Sequence, residues 1–483
     1  MIDIKPVLFI IGVLLALLGA AMLVPAAFDA LAGHADWAVF VVSSLVTVFA
    51  GVSLVLTTRT AHPTSLGLRH AFLTTTMSWT GVAAFAALPL MFASPDITYA
   101  GAFFEAMSGL TTTGSTVLSG LDTAPPGILV WRGMLHWLGG IGIIVTSVAI
   151  MPMLRIGGMQ LFRTESSDNS EKIVPRAAQL ASAFGRIYLV MTIACMVLLW
   201  SAGMTGFEAL VHAMSTVSTG GFSTSDASIG HFDSPLIEMI VVVFMIGGAL
   251  PFALYIRALT QNHDALWRDA QVRAFLAGIA IWTAALSLWL VLGQDVEPLQ
   301  AVRMSLFNVV SVITTTGFAT ADYNLWGTFP FAVFFWLILV GGCTGSTSGG
   351  IKIFRFVILV TTARRHLHQL IHPNAVIVPT YNRRPVPEAI LLSVLSFVTV
   401  FFAVFVILSI VVASLGVDFI TAATAVSQAL ANVGPGLGPI IGPAGNYSTM
   451  SDPVLAVLAF AMLLGRLELF TVLVLFTRAY WRA

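Results

Sequence analysis

The sequence predicts an all-α polytopic membrane protein, in which four pseudo-symmetric helix–pore loop–helix repeats surround one pore after an N-terminal transmembrane hairpin. Three observations lead to this fold class. The 483 residues are 58% hydrophobic and only 9% charged, whereas soluble domains carry about 25% charged residues. Apolar runs of about 20 residues, each long enough to cross a bilayer, recur along the chain. Between alternate runs lie shorter segments that repeat one pattern four times.

Ten membrane spans are expected from the apolar runs. The first, Val7 to Phe28, is longer than the roughly 7–15 apolar residues of a cleaved signal peptide, which is the alternative reading. With the second run it forms the expected N-terminal hairpin. The spans are 7–28, 37–56, 70–92, 128–153, 181–202, 236–259, 272–293, 330–360, 388–413 and 453–478.

The positive charges predict the orientation. Lys and Arg concentrate in alternate loops and at the C-terminal end, which places both termini on the cytoplasmic side. The segments on the outer side hold only Arg132 and Arg303, but eleven Asp and Glu residues. An acidic outer face raises the local concentration of cations, although solvated loop carboxylates are an equally good explanation for any one residue.

Four outer segments share an apolar stretch of about ten residues followed by hydroxyl residues and glycine. The strings that run from the end of the apolar stretch to the glycine are residues 106–114, 213–220, 309–317 and 427–434. They are about a hundred residues apart, and each lies between two full-length spans. One such segment is an ordinary extracellular turn. Four at a regular period indicate re-entrant loops, whose backbone polar groups are tolerated at membrane depth only beside a cavity enclosed by protein.

Such loops fit the dehydration of a cation. A short helix running inward points the negative end of its dipole toward the bilayer centre. The extended turn after it can aim carbonyl oxygens at an ion in place of water. Glycine supplies the positive φ angles of that turn, and small hydroxyl side chains add oxygen atoms. One loop cannot surround an ion, whereas four can.

These loops resemble the pore loops of the Trk/Ktr/HKT superfamily of potassium transporters over nearly the whole chain. Three strings, 137–142 (WLGGIG), 157–165 (GGMQLFRTE) and 432–438 (NVGPGLG), resemble its TrkH branch. The resemblance implies gated, channel-like potassium uptake across the bacterial cytoplasmic (inner) membrane by a homodimer. It also implies a cytoplasmic RCK-type ring subunit that carries the nucleotide, with no cofactor in this chain and potassium as substrate.

Carried over by position, the resemblance implies a potassium-binding selectivity filter. All four family glycines are present, but the fourth loop has Val433 where the others have a hydroxyl residue, which puts the symmetry of the innermost hydroxyl ring in doubt. The implied filter residues are Thr112, Thr113, Gly114, Ser218, Thr219, Gly220, Thr315, Thr316, Gly317, Asn432, Val433 and Gly434.

A Gly/Ser-rich run at 341–350 interrupts the span after the third loop. A phosphate-binding loop is excluded, because Ile351 separates Gly350 from Lys352 and Ile353 replaces the hydroxyl residue. A broken helix at this depth should line a cavity, and the matching family segment is an intramembrane loop that blocks the inner pore. The alternative is a packing seam between helices. The expected gate residues are Gly345, Ser346, Thr347, Ser348, Gly349 and Gly350, with Arg466.

Arg466 lies in the last span, where a charged side chain costs at least several kcal/mol unless it faces water or a partner. We expect it to face the pore below the filter and to oppose cations. The alternative is a buried ion pair with a carboxylate such as Glu468. His136 and His212, on or near spans, are interpreted as core residues rather than ligands.

The expected division of the chain is an N-terminal hairpin and four pore repeats, the third with a broken second helix. A symporter coupled to protons or sodium is the alternative function, for which Glu468 is the one convincing mid-membrane carboxylate. An enzyme is not expected, since clustered catalytic side chains are not visible in the spans. The segments are 1–60, then 61–160, 161–262, 263–370 and 371–483.

Overall fold

The computed structural model describes residues 3–59, 67–93, 97–149, 173–260 and 263–482. The string at 157–165 that resembles the TrkH branch lies outside the described residues. Within them, seven helices are long and apolar enough to cross a membrane, and two further bent helix pairs bring the number to nine. The expected all-helical membrane fold is therefore confirmed.

The N-terminal hairpin consists of α1 (Lys5–Ala21), which continues through α2 (Leu23–Leu31), and α3 (Trp37–Thr58). Glycines let α1 and α3 approach closely: a methyl group built on Gly51 would lie 2.7 Å from the carbonyl oxygen of Gly12. The Ser44 hydroxyl donates to the carbonyl of Gly19 at 2.6 Å. Small residues and a buried hydroxyl are the usual means of joining helices in lipid.

Four repeats follow, each with an outer helix, a short pore helix and an inner helix, and together they enclose one pore. The outer helices are α4 (Leu68–Ala93), α7 (Ile173–Ser201), α12 (Ala270–Gln294) and α16 (Glu388–Ser414). The pore helices are α5 (Tyr99–Leu110), α8 (Gly206–Val217), α13 (Pro298–Ile313) and α17 (Phe419–Ala431).

The inner helix differs among the repeats. In the first repeat α6 (Pro126–Ala149) is continuous over the described residues. In the second, α9 (Pro235–Ala249) is followed after a 91° bend by α10 (Phe252–Thr260). In the third, α14 (Thr328–Leu339) and α15 (Ile353–Ile371) flank the Gly/Ser-rich run. In the fourth, α18 (Asp452–Arg466) turns by 108° into α19 (Phe470–Leu473).

The expectation of uninterrupted spans at 236–259 and 453–478 is wrong, because both are bent pairs. The first break falls at Leu250 and Pro251, where proline disfavours helical geometry in the preceding residue. The second follows Arg466, where Glu468 and Leu469 take positive φ angles of 62° and 42°.

The remaining elements lie outside the repeats' long helices. A two-stranded antiparallel hairpin, β1 (Thr380–Tyr381) and β2 (Arg384–Pro385), packs beside α15. The other helices are short: α11 (Ala265–Arg268), α20 (Arg478–Arg482) and 3₁₀ turns at Leu121–Thr123, Ser228–Phe232, Tyr323–Trp326 and Val474–Phe476.

Candidate functional site

All four pore helices end in the same way. Just after each helix, a backbone N–H donates to the carbonyl five residues earlier. The residue immediately before that donor has a left-handed backbone, and this combination is the Schellman geometry. The four such bonds are Thr113 to Ser108, Gly220 to Ser215, Thr316 to Ser311 and Val433 to Gln428, at 2.8–3.1 Å. The left-handed residues are Thr112, Thr219, Thr315 and Asn432.

This shared geometry aligns the four loops and shifts the alignment of the second loop by one residue from the one expected. The glycine after each Schellman turn has φ of 81–107°, and in the second loop that glycine is Gly221, with φ of 88°. The sequence-based set ended one residue earlier, at Gly220. Ser218 falls outside the aligned positions: its hydroxyl donates to the carbonyls of Met214 and Ser215 in its own helix. Gly221 is the residue that the sequence reading missed.

The four aligned glycines form what we call the glycine ring: Gly114, Gly221, Gly317 and Gly434. Each glycine lies against the carbonyl oxygen that precedes the glycine of the next loop. A methyl group built on one of them would overlap that oxygen, so no other residue fits without displacing the neighbouring loop. The contacts run from Gly114 to Gly220, Gly221 to Thr316, Gly317 to Val433 and Gly434 to Thr113.

The ring thus closes on itself in the order first, second, third, fourth, first. The Val433 side chain lacks a hydroxyl, yet its carbonyl oxygen takes the same place as those of Thr113, Gly220 and Thr316. The departure noted in the sequence therefore changes the side-chain oxygens and leaves the backbone pattern intact. The hydroxyls of Thr113 and Thr316 are hydrogen-bonded to neighbouring threonines at 2.7 and 2.8 Å.

Buried polar side chains hold the ring from behind. The Gln428 amide accepts from the Gly434 N–H and donates to the Tyr447 hydroxyl at 2.7 Å. Ser115 donates to the Gly434 carbonyl at 2.9 Å. Asn432 donates to the Thr113 hydroxyl at 3.0 Å and so links the fourth loop to the first. These buried hydrogen bonds restrict the loops to one arrangement.

Both histidines interpreted as core residues are fully buried against the second loop. His136 stacks on Phe222 at 4.1 Å between ring centroids and hydrogen-bonds to Ser215 at 3.0 Å. His212 is hydrogen-bonded to the Glu208 carbonyl and to the Ser223 hydroxyl. These contacts give both rings a structural role in the wall of the loop.

On one side, all four ring glycines open into a cavity whose wall also carries Asp226. On the other side lies the Gly/Ser-rich run, residues 341–350. The N–H of Gly349 donates to the Thr315 hydroxyl at 2.7 Å, and the Thr347 and Thr219 hydroxyls are 3.1 Å apart. The run therefore crosses directly beneath the second and third loops.

The Gly/Ser-rich run is well anchored by buried contacts. Thr344 and residues 346–348 are at most 5% exposed, and Gly349 is buried. The break after α9 supplies two acceptors, since Cys343 donates to Ala249 and Thr347 to Gly248. The N–H of Phe252 in turn donates to the carbonyl of Gly345. The two interrupted inner helices thus satisfy each other's backbone groups.

Arg466 contacts this run directly. Its guanidinium donates to the carbonyl of Thr347 at 2.8 Å, and the side chain is 3% exposed. Its remaining guanidinium nitrogens have no acceptor within the described part of the chain. Arg466 also borders a cavity lined by Ser348, Lys352 and Glu468. Lys352 donates to the carbonyl of Ser348. Two positive charges therefore stand beside the run.

The expected alternative partner of Arg466 is engaged elsewhere. Glu468 forms an ion pair with Arg355 of α15, and the Arg355 guanidinium lies 3.6 Å from the centroid of the Phe397 ring. The two arginines assigned to the outer side are paired as well. Arg132 binds Glu105 at 2.8 Å, and Arg303 lies 3.4 Å from Glu238.

Residues 38–482 match the family model described as TrkH, a cation transport protein. The chain belongs to the TrkH family. It is 42% identical to the Trk system potassium uptake protein TrkI of Halomonas elongata, over 99% of this chain and 97% of that protein. To the TrkH protein of Vibrio parahaemolyticus it is 38% identical, over 99% of both chains.

The crystal structure of the potassium transporter TrkH from Vibrio parahaemolyticus superposes with a TM-score of 0.92 over the full length of both chains, at 37% identity. This likeness confirms the fold expected from the sequence, including the four repeats. Members of the family are transport proteins, which agrees with the expectation that this chain is not an enzyme.

Proposed function

We propose that this chain takes up potassium across the cytoplasmic membrane through a gated, channel-like pore. The observation that carries the proposal is the glycine ring, in which four loops contact one another in a closed circle through four equivalent carbonyls. Carbonyl oxygens arranged around an axis replace the hydration shell of a potassium ion. The relatives named as potassium uptake proteins support the choice of ion.

The proposed filter consists of the aligned loop residues. It keeps eleven of the twelve residues expected from the sequence, replaces Ser218 with Gly221, and uses backbone carbonyls at all four positions of the ring. The proposed set is Thr112, Thr113, Gly114, Thr219, Gly220, Gly221, Thr315, Thr316, Gly317, Asn432, Val433 and Gly434.

The proposed gate is the Gly/Ser-rich run together with Arg466. Residues 345–350 cross beneath the loops, where they block a path from the ring toward the inner side. Arg466 adds a positive charge that repels cations and a charge-assisted hydrogen bond that holds the run in place. Opening requires both the run and this bond to move.

Potassium–proton or potassium–sodium symport has less support. That mechanism needs a mid-membrane carboxylate that is free to bind and release the coupling ion. Glu468, the carboxylate on which the alternative rested, is held by Arg355. A channel-like mechanism needs no such group.

Purified protein in liposomes tests the proposal. We expect potassium flux that exceeds sodium flux, with a reversal potential that follows the potassium gradient alone. A reversal potential that shifts with the proton or sodium gradient would favour symport. Flux that does not discriminate between the two cations would contradict the filter.

The cytoplasmic side, the homodimer and the ring partner are part of the same proposal. The distribution of Lys and Arg supports cytoplasmic termini. Arg132 and Arg303, the two exceptions to that distribution, each lie in an ion pair and are far outnumbered by the basic residues of the inner loops. Any nucleotide would bind to the partner subunit rather than to this chain.

A further inference from the structure

A basic cavity lies at the inner end of α12, on the side proposed to face the cytoplasm. Four arginines from separate elements line it: Arg257 from α10, Arg268 from α11, Arg273 from α12 and Arg383 from the β-hairpin. Among the described residues, Asp269 is the one carboxylate in its wall. Several guanidinium groups around one cavity suit a phosphate ligand, because each planar guanidinium can donate to two phosphate oxygens at once.

Asp269 forms no ion pair with Arg268, Arg273 or Arg383 in the described part of the chain. It is 5% exposed, and its oxygens accept from the N–H groups of Gln271 and Val272 and from the amide of Asn382. Arg268 has its own exposed partner, Asp264, at 2.8 Å. Pairs at such exposure contribute at most about 1 kcal/mol, so a phosphate group can displace this one.

The backbone at Arg383 is a second, independent observation. Asn382 and Arg383 form the two-residue turn of the hairpin, with φ of 48° and 63°. Such turns favour Asn followed by Gly, because both positions need positive φ. An arginine at the glycine position is strained, and its side chain reaches the cavity. Strain of this kind persists where a side chain has a function.

Exposed apolar side chains lie on the elements that line the cavity. Trp267, which lines it, is 67% exposed, and Leu259 at the end of α10 is 74% exposed. Tryptophan beside arginine is typical of the membrane–water boundary, and basic pockets between helices on the cytoplasmic side suit lipid headgroups. We propose that this cavity, which we call the arginine pocket, binds the phosphate group of an anionic membrane lipid.

The arginine pocket touches the support of the proposed gate, so this part of the inference rests on the proposed function. Asn382 accepts from the N–H of Ala270 at 2.9 Å, which fixes the hairpin to the start of α12. One residue later, the buried Gln271 side chain accepts from the N–H of Thr344 in the Gly/Ser-rich run at 2.9 Å. A lipid that shifts the hairpin therefore acts on the run through two consecutive residues, Ala270 and Gln271.

Lipid binding is tested without the partner, on the purified full chain by native mass spectrometry. Equal amounts of phosphatidylglycerol and phosphatidylcholine are offered to the wild type, to the double variant R273Q/R383Q and to R478Q/R482Q. The last removes two arginines of the same face that lie outside the pocket. With about a fivefold effect per arginine, R273Q/R383Q should lower phosphatidylglycerol occupancy by roughly thirtyfold.

The outcomes separate the possible ligands. The control should bind phosphatidylglycerol as the wild type does, and R273K/R383K should retain part of the binding. Equal phosphatidylglycerol occupancy in wild type and R273Q/R383Q would overturn the pocket. If the pocket binds inorganic phosphate but shows no preference for phosphatidylglycerol over phosphatidylcholine, the bound phosphate group does not come from an anionic lipid, and the proposal is contradicted.

Flux tests the link to the gate. Potassium flux is compared in vesicles of phosphatidylcholine alone and with one quarter phosphatidylglycerol; the wild type and the control should respond to the anionic lipid, and R273Q/R383Q should not. If R273Q/R383Q loses lipid binding but its flux responds as that of the wild type does, the arginine pocket is a lipid site that does not act on the gate. Absence of potassium flux in every vesicle, with lipid binding intact, would contradict the proposed function alone.

Discussion

At the scale of single residues, backbone conformation decides which side chains belong to the site. Gly220 and Gly221 are adjacent in the sequence, and either can follow the hydroxyl residues of the second loop. The Schellman bond of Gly220 to Ser215 and the positive φ of Gly221 resolve this ambiguity. A sequence pattern shows that a glycine is needed, but only the path of the chain shows which one.

The corrected register predicts opposite results for two substitutions in one loop. Gly221→Ser should impair potassium-over-sodium selectivity as strongly as Gly317→Ser does, by about tenfold or more. A side chain at either position overlaps a carbonyl of the next loop. Ser218→Ala should leave selectivity unchanged, because the lost hydroxyl is bonded within its own helix.

Bi-ionic reversal potentials in proteoliposomes measure these effects. Gly278→Ser is the matched control, since a Cβ at Gly278 meets no atom within 4 Å. If Ser218→Ala alters selectivity and Gly221→Ser does not, the register read from the sequence is the right one.

At the scale of elements, the interrupted inner helices differ in how visible they are in the sequence. The Gly/Ser-rich run indicates its own break, and Pro251 is a weaker signal of the same kind. Pro89, however, lies inside the continuous α4, so proline alone does not separate a break from a regular span. The break after Arg466 has neither proline nor a run of glycine, and Glu468 and Leu469 adopt their positive φ angles for tertiary reasons.

The ion pair between Arg355 and Glu468 is one tertiary contact made by the residues of this bend. It ties the helix after the Gly/Ser-rich run to the bend in the last inner helix. Glu468→Ala leaves the buried Arg355 without its carboxylate, which should destabilise the chain by about 3–5 kcal/mol. The paired replacement Arg355→Met with Glu468→Leu removes both charges and should destabilise it less.

Thermal unfolding in detergent measures the difference, with Arg268→Ala as the control for a solvated pair. An additive loss of stability in the paired variant would mean that the two side chains act independently.

The Gly/Ser-rich run and Arg466 are expected to act as one gate. Arg466→Ala removes a charge-assisted hydrogen bond worth roughly 1.5–3 kcal/mol and a positive charge, so potassium flux without the partner should rise about tenfold or more. Shortening residues 345–350 should also raise flux. The double variant should give less than the product of the two increases, because interacting sites are not additive.

Rubidium uptake into liposomes, normalised to the amount of folded protein, checks this prediction. Arg303→Ala, outside the proposed gate, controls for the loss of an arginine. Reduced flux in both single variants, at normal abundance, would assign the run and Arg466 a purely structural role.

At the scale of the whole molecule, composition and repetition were sufficient to predict the architecture. Apolar runs give the spans, and four copies of one loop at a regular period give the four-part pore, because a single loop cannot enclose an ion. Contacts between repeats could not be predicted in this way. The pairing of Gln271 with Thr344, or of Arg132 with Glu105, joins segments whose sequences carry no mark of each other.

The inner face of the molecule also presents a basic surface that we propose as the docking site for the cytoplasmic ring. Arg364 and Arg365 lie in α15, which follows the Gly/Ser-rich run, and Arg383 and Arg384 lie in the β-hairpin beside it. The hairpin packs on α15 through Tyr381, whose ring lies 5.1 Å from that of Phe354. A partner bound to both elements can therefore move α15, the helix that follows the Gly/Ser-rich run.

Charge reversal of these four arginines to glutamate should abolish co-purification of the ring subunit at physiological salt, because rim charges steer association and like charges oppose it. Reversal of Arg478 and Arg482, at the C-terminal end of the same face, is the matched control and should leave the complex intact. Gel filtration of the co-expressed subunits provides the measurement, with lipid occupancy followed in parallel since Arg383 belongs to both surfaces. A complex that survives all four reversals would assign these arginines to membrane topology alone.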